Sequence, residues 1–260
     1  MGVFLDRAVV VQAYLSDSMR FGFSETTGRL DGDVLFLLDG VGGLQAGPLM
    51  VRRALRERDV GVGTVLFKWQ FGLPGEIWTD LMWLRRNRLM GARLARKILG
   101  FRRSHPTART HIVAFSGGCG VAVFALEHLR GRELMETVVL ACPALSSDYN
   151  LGPALCAVRR CYALVSAKDR FILGWGTRAF GTMDRAHGTA AGCVGFRRPQ
   201  DLDPEAKLAY ERLTQVCWSP DMARLGHHGG HTGWASPLFL RRYLPDWLML
   251  RTGSSKETTG

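Results

Sequence analysis

The sequence predicts an α/β protein with a mostly parallel central sheet and helices on both faces. Short apolar runs rich in β-branched residues alternate with segments in which apolar residues recur at helical spacing. The runs are continuous rather than alternating, as in strands that are buried on both faces of a sheet. Polar residues that could carry chemistry follow the ends of these runs, which is where parallel sheets bind their ligands.

Composition indicates one globular domain. The chain has 260 residues, of which 47% are hydrophobic and 22% are charged, and it is long enough to bury a substantial core. We find no internal repeat and no linker, and therefore expect a single domain over 1–252 with a disordered polar tail over 253–260. No apolar run approaches the ~18–20 residues of a membrane-spanning helix. The N-terminal apolar patch is too short for a secretion signal, so we expect a cytoplasmic protein.

The cysteines do not predict a disulfide framework or a zinc site. All six are scattered, without a C-x-x-C pair, and several fall in or beside predicted strands, where cysteine behaves as a small buried hydrophobe. We expect reduced thiols.

The net charge of +11 has two interpretations. It could attract nucleic acid, anionic lipid or acidic substrates, or it could belong to solvated helix faces. No nucleic-acid motif accompanies it and no aromatic residues interleave with it, so we favour solvated faces and no specific nucleic-acid partner. The helix expected over 76–99 carries aromatic and basic residues, which leaves association with a membrane surface open. Its apolar positions extend well round the helix, which favours packing on the sheet.

The apolar runs and the helical spacing also predict the individual strands and helices. Two early strands, over 6–15 and 19–25, are expected to form an antiparallel pair at the sheet edge. The buried strands are expected over 33–38, 63–71, 111–115, 136–141, 161–166 and 213–218. Helices are expected over 48–58 and 76–99, after Ser116, and after Ser236 and Pro237, which supply an N-cap and a first helical residue.

Ser116 lies on a sharp turn between the strand 111–115 and a helix. The residues two positions before and after it, Ala114 and Gly118, are small. Such a turn needs small neighbours because larger side chains would collide with the adjoining strand and helix. The arrangement is a nucleophile elbow in which Ala114 replaces the usual first glycine. In this feature the chain resembles the α/β-hydrolase superfamily, in its serine esterase and lipase-like branch.

The resemblance implies a catalytic triad in the order serine, acid, histidine. Asp169 stands three residues beyond the strand 161–166, where the superfamily usually carries its acid. His231 lies in the loop 229–234, Gly-Gly-His-Thr-Gly-Trp, between the last strand and the last helix. The resemblance therefore implies Ser116 as nucleophile, His231 as general base and Asp169 as the residue that orients the base.

Two of these assignments have alternatives. His228 is the second candidate for the base and His227 the third, and Asp148, which follows the strand 136–141, is the alternative acid. A metal site using the three histidines is disfavoured, because only Asp221 lies nearby in sequence and the spacing matches no familiar ligand motif. We therefore expect no metal and no cofactor.

The superfamily also implies an oxyanion hole made of two backbone amides. One belongs to Gly117 at the start of the helix, where amides are unpaired and the helix dipole favours negative charge. The other belongs to Val41 in the loop 39–43, Asp-Gly-Val-Gly-Gly, which resembles the superfamily's His-Gly-x-Gly-Gly. Asp39 departs from the usual histidine, a residue that supports the loop. The loop lacks the lysine of a phosphate-binding P-loop.

The substrate is the least determined feature. Aromatic residues at Trp69, Phe71, Trp175 and Trp234 are candidates for an apolar pocket, and the long segment 171–204 is either a pocket wall or a packed surface loop. The implied activity is hydrolysis of a carboxylic ester of a small or lipid-like molecule. The alternative is a non-catalytic binding or scaffold protein with the same fold that engages anionic partners. The sequence does not predict the oligomeric state.

Overall fold

The computed structural model describes residues 24–28, 32–70, 77–132 and 135–249, with backbone alone at 24, 25, 77–79 and 175. Within these ranges, seven strands form one sheet in the order β1-β3-β2-β4-β5-β6-β7. β1 is antiparallel to β3, and the other strands are parallel to their neighbours. The strands are β1 Ser24–Thr27, β2 Val34–Leu38, β3 Gly63–Phe67, β4 Thr110–Phe115, β5 Met135–Ala141, β6 Val158–Val165 and β7 Leu213–Cys217.

Helices cover this sheet. They are α1 Ala46–Glu57, α2 Ile77–Met82, α3 Leu84–Ser104, α4 Gly117–Leu129, α5 Gly152–Leu155, α6 Thr177–Phe180, α7 Ala191–Val194, α8 Pro204–Ala209 and α9 Pro237–Leu248. α1 packs on α9, and α3 packs on α4. Every residue of β2 and β3 is buried, so both faces of the sheet are covered. The predicted α/β class with a mostly parallel sheet is confirmed.

The packing of α3 on α4 depends on a glycine. The buried face of α3 consists of Asn87, Gly91, Leu94, Ala95 and Ile98. A Cβ on Gly91 would lie 2.6 Å from the Cβ of Phe124 in α4, inside any normal contact distance. The two helix backbones therefore approach closely at this point.

Several expected elements differ from the structure. The helix predicted over 76–99 is two helices, α2 and α3, because the chain leaves helical geometry at Trp83 (φ −90°, ψ 71°). The strand predicted over 63–71 ends at Phe67. Ser236 precedes α9 but does not cap it, because its hydroxyl donates to the Leu225 carbonyl at 2.6 Å.

At the N-terminal edge, β1 overlaps the second predicted early strand and lies antiparallel to β3. The first predicted strand, 6–15, and the tail 253–260 lie outside the described residues. Within the described ranges, no helix is both long and apolar enough to cross a lipid bilayer.

Candidate active site

Ser116 sits in a strained turn between β4 and α4. Its backbone has φ 51° and ψ −119°, a conformation that residues other than glycine rarely adopt. Three main-chain hydrogen bonds hold it there. The Ser116 amide donates to the Ala141 carbonyl at 2.9 Å, and the Ser116 carbonyl accepts from the amides of Cys119 and Ala144 at 3.1 and 3.2 Å. Bonds to β5, to the first turn of α4 and to the chain after β5 therefore fix a backbone that would otherwise relax.

The small residues after Ser116 allow the loop that follows β2 to approach the turn. A Cβ on Gly118 would lie 2.4 Å from the Asp39 carbonyl oxygen, and one on Gly117 would lie 2.8 Å from Val41 Cγ1. Side chains at these positions would push the loop away. Ala114, at the position of the motif's usual first glycine, is fully buried in β4.

The structure brings Ser116, His231 and Asp169 together. His231 Nε2 lies 3.0 Å from Ser116 Oγ, and His231 Nδ1 lies 2.5 Å from Asp169 Oδ2. Asp169 is 3% exposed and Ser116 is 5% exposed, so the three groups form a hydrogen-bonded chain largely shielded from solvent. A short charge-assisted hydrogen bond of this kind stabilises an imidazolium on the histidine.

Neighbouring side chains hold the two loops that carry His231 and Asp169. Ser166, at the end of β6, donates its hydroxyl to the Gly229 carbonyl at 2.6 Å and so joins the acid loop to the histidine loop. The ring centroid of Phe115, the residue before Ser116, lies 4.8 Å from that of His231. Contacts from β4 and from the chain after β6 therefore help to position His231 and its loop.

The alternative base and acid lie elsewhere. His227 is buried against Phe239, and its Nδ1 accepts from the Gly229 amide at 3.3 Å. Desolvation lowers the pKa of His227 to about 4. His228 is exposed. Asp148 is also exposed, and pairs with Arg197 at 3.1 Å. Of the candidates considered, only His231 and Asp169 join Ser116.

Asp39 organises the loop 39–43. Its buried carboxylate accepts the backbone N–H groups of Gly40, Gln45 and Gly47, and burial raises its pKa to about 6. Two residues after β3 support the same loop. Trp69 Nε1 donates to the Asp39 carbonyl at 2.8 Å, and Gln70 Nε2 donates to the Gly40 carbonyl at 2.7 Å. Asp39 therefore supports this loop, the task expected of the superfamily's histidine.

Asp80 is a supporting residue that the sequence analysis missed. Its carboxylate accepts the Gly42 amide at 3.0 Å and pairs with Arg86 at 3.3 Å, and the residue is fully buried. Arg86 also donates to the Trp69 carbonyl at 2.5 Å. No local pattern indicates this role, because Asp80 is 38 positions from Gly42 and lies on the short helix α2.

An apolar cavity of about 220 Å³ opens beside Ser116. Apart from Ser116, its wall comes from the loop after β2, from α2, from the chain after β5 and from the first part of the segment 171–204. The lining residues are Val41, Leu81, Ser116, Ala144, Phe171, Ile172, Leu173, Gly176, Thr177 and Phe180. The beginning of the long segment is thus a pocket wall.

Two of the four aromatic residues expected in this pocket, Trp69 and Trp234, lie outside it. Trp69 is fully buried beneath the loop 39–43, and Trp234 is buried against Phe115, with ring centroids 5.2 Å apart. Both are structural supports and neither lines the cavity, which corrects the expectation for them. Phe71 lies outside the described residues, as does the side chain of Trp175.

Among the described residues, one cluster of side chains that could in principle bind a metal ion lies at this site. The ligand atoms of Cys142, Asp169 and His231 are within 4.8 Å of one another. The group does not fit a bound metal. Burial raises the pKa of Cys142 well above its usual value, which keeps the thiol protonated, and Nδ1 of His231 is already bonded to Asp169.

This architecture is the α/β-hydrolase fold. It combines a mostly parallel sheet, an antiparallel edge strand, helices that cover the sheet, and a turn at Ser116 after β4. No protein-family model and no curated protein sequence matches the chain. Among solved structures, it resembles Est1E from Butyrivibrio proteoclasticus with bound ferulic acid, at 10% identity over 87% of this chain and 95% of that chain, with a TM-score of 0.50. It also resembles TT1662 from Thermus thermophilus, at 14% identity over 88% and 94% of the two chains, with a TM-score of 0.50.

Proposed function

We propose that the protein is a serine hydrolase that cleaves a carboxylic ester of a small or lipid-like molecule through an acyl-enzyme on Ser116. The main support for this proposal is the continuous hydrogen-bonded chain from Ser116 Oγ through His231 to Asp169. The strained backbone at Ser116 supports the proposal, because such strain occurs where a nucleophile must project from a tight turn.

In the proposed mechanism, Ser116 Oγ attacks the ester carbonyl carbon while His231 Nε2 takes the hydroxyl proton. Asp169 accepts Nδ1–H and stabilises the imidazolium. Collapse of the tetrahedral intermediate breaks the carbon–oxygen bond to the alcohol, which leaves with the proton from Nε2. Water then attacks the acyl group by the same sequence, with His231 as base, and releases the carboxylic acid and free Ser116.

The oxyanion would be bound by the backbone amides of Val41 and Gly117. Gly117 begins α4, where the unpaired amides and the helix dipole favour negative charge. The loop that carries Val41 is braced by Asp39, Trp69, Gln70 and Asp80, as described above. Bracing matters because donors that are already in place need no reorganisation as charge develops in the transition state.

The cavity favours an apolar group on the substrate. Its walls beside Ser116 are aliphatic and aromatic, and no charged side chain lines it among the described residues. An acyl chain or an apolar alcohol would bury surface there, whereas a charged substituent would lose hydration without a partner.

Hydrolysis of p-nitrophenyl esters of increasing acyl length tests the proposal. We expect turnover by the wild type and a fall in kcat of about 10⁴-fold or more in Ser116→Ala and in His231→Gln. His228→Gln is the matched control, and its kcat should stay within about two-fold of wild type, since surface changes away from the site have small effects. Loss of activity in His228→Gln but not in His231→Gln would make His228 the base, and no turnover by folded wild-type protein would favour the non-catalytic alternative.

A further inference from the structure

Two segments that line the cavity, 81–83 and 171–172, include exposed apolar side chains. In the first, Leu81 of the cavity wall is followed by Met82 and Trp83, which are 46% and 51% exposed at the junction of α2 and α3. In the second, Phe171 and Ile172, also in the wall, are 80% and 46% exposed. Apolar groups gathered at one place on a surface mark an interaction site rather than ordinary exposure.

Trp83 also lines a second apolar surface, which lies on α3. A shallow groove on this helix is lined by Trp83, Arg85, Arg86, Leu89, Met90 and Arg93. Their spacing places them on one side of a helix, opposite the face that packs on α4. Leu89 is 62% exposed, although it lies in the middle of a helix with a well-buried face. We call Met82, Trp83, Leu89, Phe171 and Ile172 the apolar rim.

Positive charge borders the apolar rim. α3 contains eight arginine and lysine residues and no aspartate or glutamate. Arg85 and Arg93 are exposed beside Trp83 and Leu89, and Arg170 and Arg178 are exposed beside the rim residues of the segment 171–204. The arrangement combines an apolar patch with a cationic border.

We propose that the apolar rim and its arginines bind an anionic lipid surface, with the cavity mouth turned toward the lipid. Aromatic and aliphatic side chains of this kind enter the boundary between headgroups and acyl chains, and arginines beside them pair with lipid phosphates. Nucleic acid fits less well, because three of the five rim residues, Met82, Leu89 and Ile172, are not aromatic and offer no flat ring on which a base could stack. The lipid interpretation uses both the charge and the aliphatic surface.

Binding to lipid and hydrolysis are separable. The rim residues do not take part in the triad or in the braced loop 39–43, so the binding surface does not require an active serine. Delivery of a lipid ester from the surface into the cavity does rest on the proposed function. Binding is therefore measured in the Ser116→Ala protein, so that failure of the lipid proposal can be told apart from failure of the hydrolase proposal.

The first test is co-sedimentation of Ser116→Ala protein with vesicles of phosphatidylcholine, with or without phosphatidylglycerol. We expect binding to the anionic vesicles and little to the neutral ones. Adding Trp83→Ser and Leu89→Ser should weaken binding by about ten-fold or more, because these side chains would lose apolar burial in the lipid. Leu208→Ser is the matched control, since Leu208 is 71% exposed on α8, and it should bind as its parent does.

The second test separates local from overall charge. Arg85→Glu with Arg93→Glu should weaken binding to anionic vesicles by about ten-fold or more. Arg56→Glu with Arg224→Glu makes the same change in net charge at exposed positions of α1 and of 220–225, and should have a much smaller effect. Equal losses in the two pairs, equal binding to neutral vesicles, or binding of the rim to a DNA oligonucleotide but not to vesicles would overturn the proposal.

Discussion

Three buried carboxylates hold His231 and the loop 39–43 near Ser116, and each has a different partner. Asp169 accepts from His231, Asp39 accepts backbone amides of its own loop, and Asp80 pairs with Arg86 while accepting an amide of the loop 39–43. A buried carboxylate is costly unless it is paired or hydrogen-bonded, so each of these residues fixes the position of its partner. Together they place the base and the loop proposed to bind the oxyanion.

Kinetics of asparagine variants can show whether Asp169 or Asp148 is the acid that orients His231. Asp169→Asn should lower kcat for an activated ester by about 10⁴-fold, because the amide no longer selects the tautomer of His231 or stabilises its charged form. Asp148→Asn should leave kcat nearly unchanged, because that carboxylate is exposed and paired with Arg197. Steady-state kinetics of the two variants make the comparison. A kcat in Asp169→Asn that stays near the wild-type value, or a large loss in Asp148→Asn alone, would contradict Asp169 as the acid.

Some of these residues were accessible from sequence and others were not. The grouping of Ser116, Asp169 and His231 is predictable because each follows a recognisable strand in the order of a known family. Asp80 and Gln70 were missed because their bonds join positions 30 to 38 residues apart and carry no local pattern. Trp69 was assigned to the pocket from its type, although its indole N–H is bonded beneath the loop.

At the scale of the elements, the pair α3 and α4 supports the serine turn. α4 begins immediately after Ser116, and its close contact with α3 is set at Gly91. The break between α2 and α3 was not predicted, because no proline or glycine marks Trp83. The strands were predictable because β2, β3, β4 and β5 are nearly continuous buried apolar runs.

Two glycines in α3 provide a matched test of this packing. Gly91→Ala should destabilise the protein by about 1–3 kcal/mol, because the new methyl group would collide with Phe124 and the α4 backbone. Gly100→Ala should stabilise it by about 0.5–1 kcal/mol, because its Cβ would have no atom within 4 Å and alanine favours a helix. Urea unfolding measures both changes. A shift of the same sign in the two variants would contradict the close helix contact.

For the whole molecule, a buried histidine links stability to pH. His111 on β4 is fully buried, and neither ring nitrogen has a hydrogen-bond partner among the described residues. Desolvation lowers its pKa to about 4. In the unfolded chain a histidine has a pKa of about 6.5 and binds a proton more readily. The stability that neutral His111 contributes is therefore fully present above pH ~6.5 and is lost as the pH falls toward 4.

Replacing His111 should weaken the dependence of the free energy of unfolding on pH between pH 7 and pH 4. Between pH 7 and pH 4, His111→Leu should lose about 2–3 kcal/mol less stability than wild type, since the pKa difference no longer contributes. His187→Leu, at an exposed position, is the control and should follow the wild-type profile. Urea unfolding at a series of pH values gives the comparison. Parallel profiles for wild type and His111→Leu would show that His111 does not contribute this pH dependence.

The most direct measurement of the central proposal is covalent labelling with a fluorophosphonate, followed by mass mapping of the modified peptide. Activation of Ser116 by His231 and Asp169 predicts one adduct per chain, on Ser116, and none in Ser116→Ala. Labelling that persists in Ser116→Ala, or wild-type protein that is folded by circular dichroism and remains unlabelled, would contradict the assignment of Ser116 as the nucleophile.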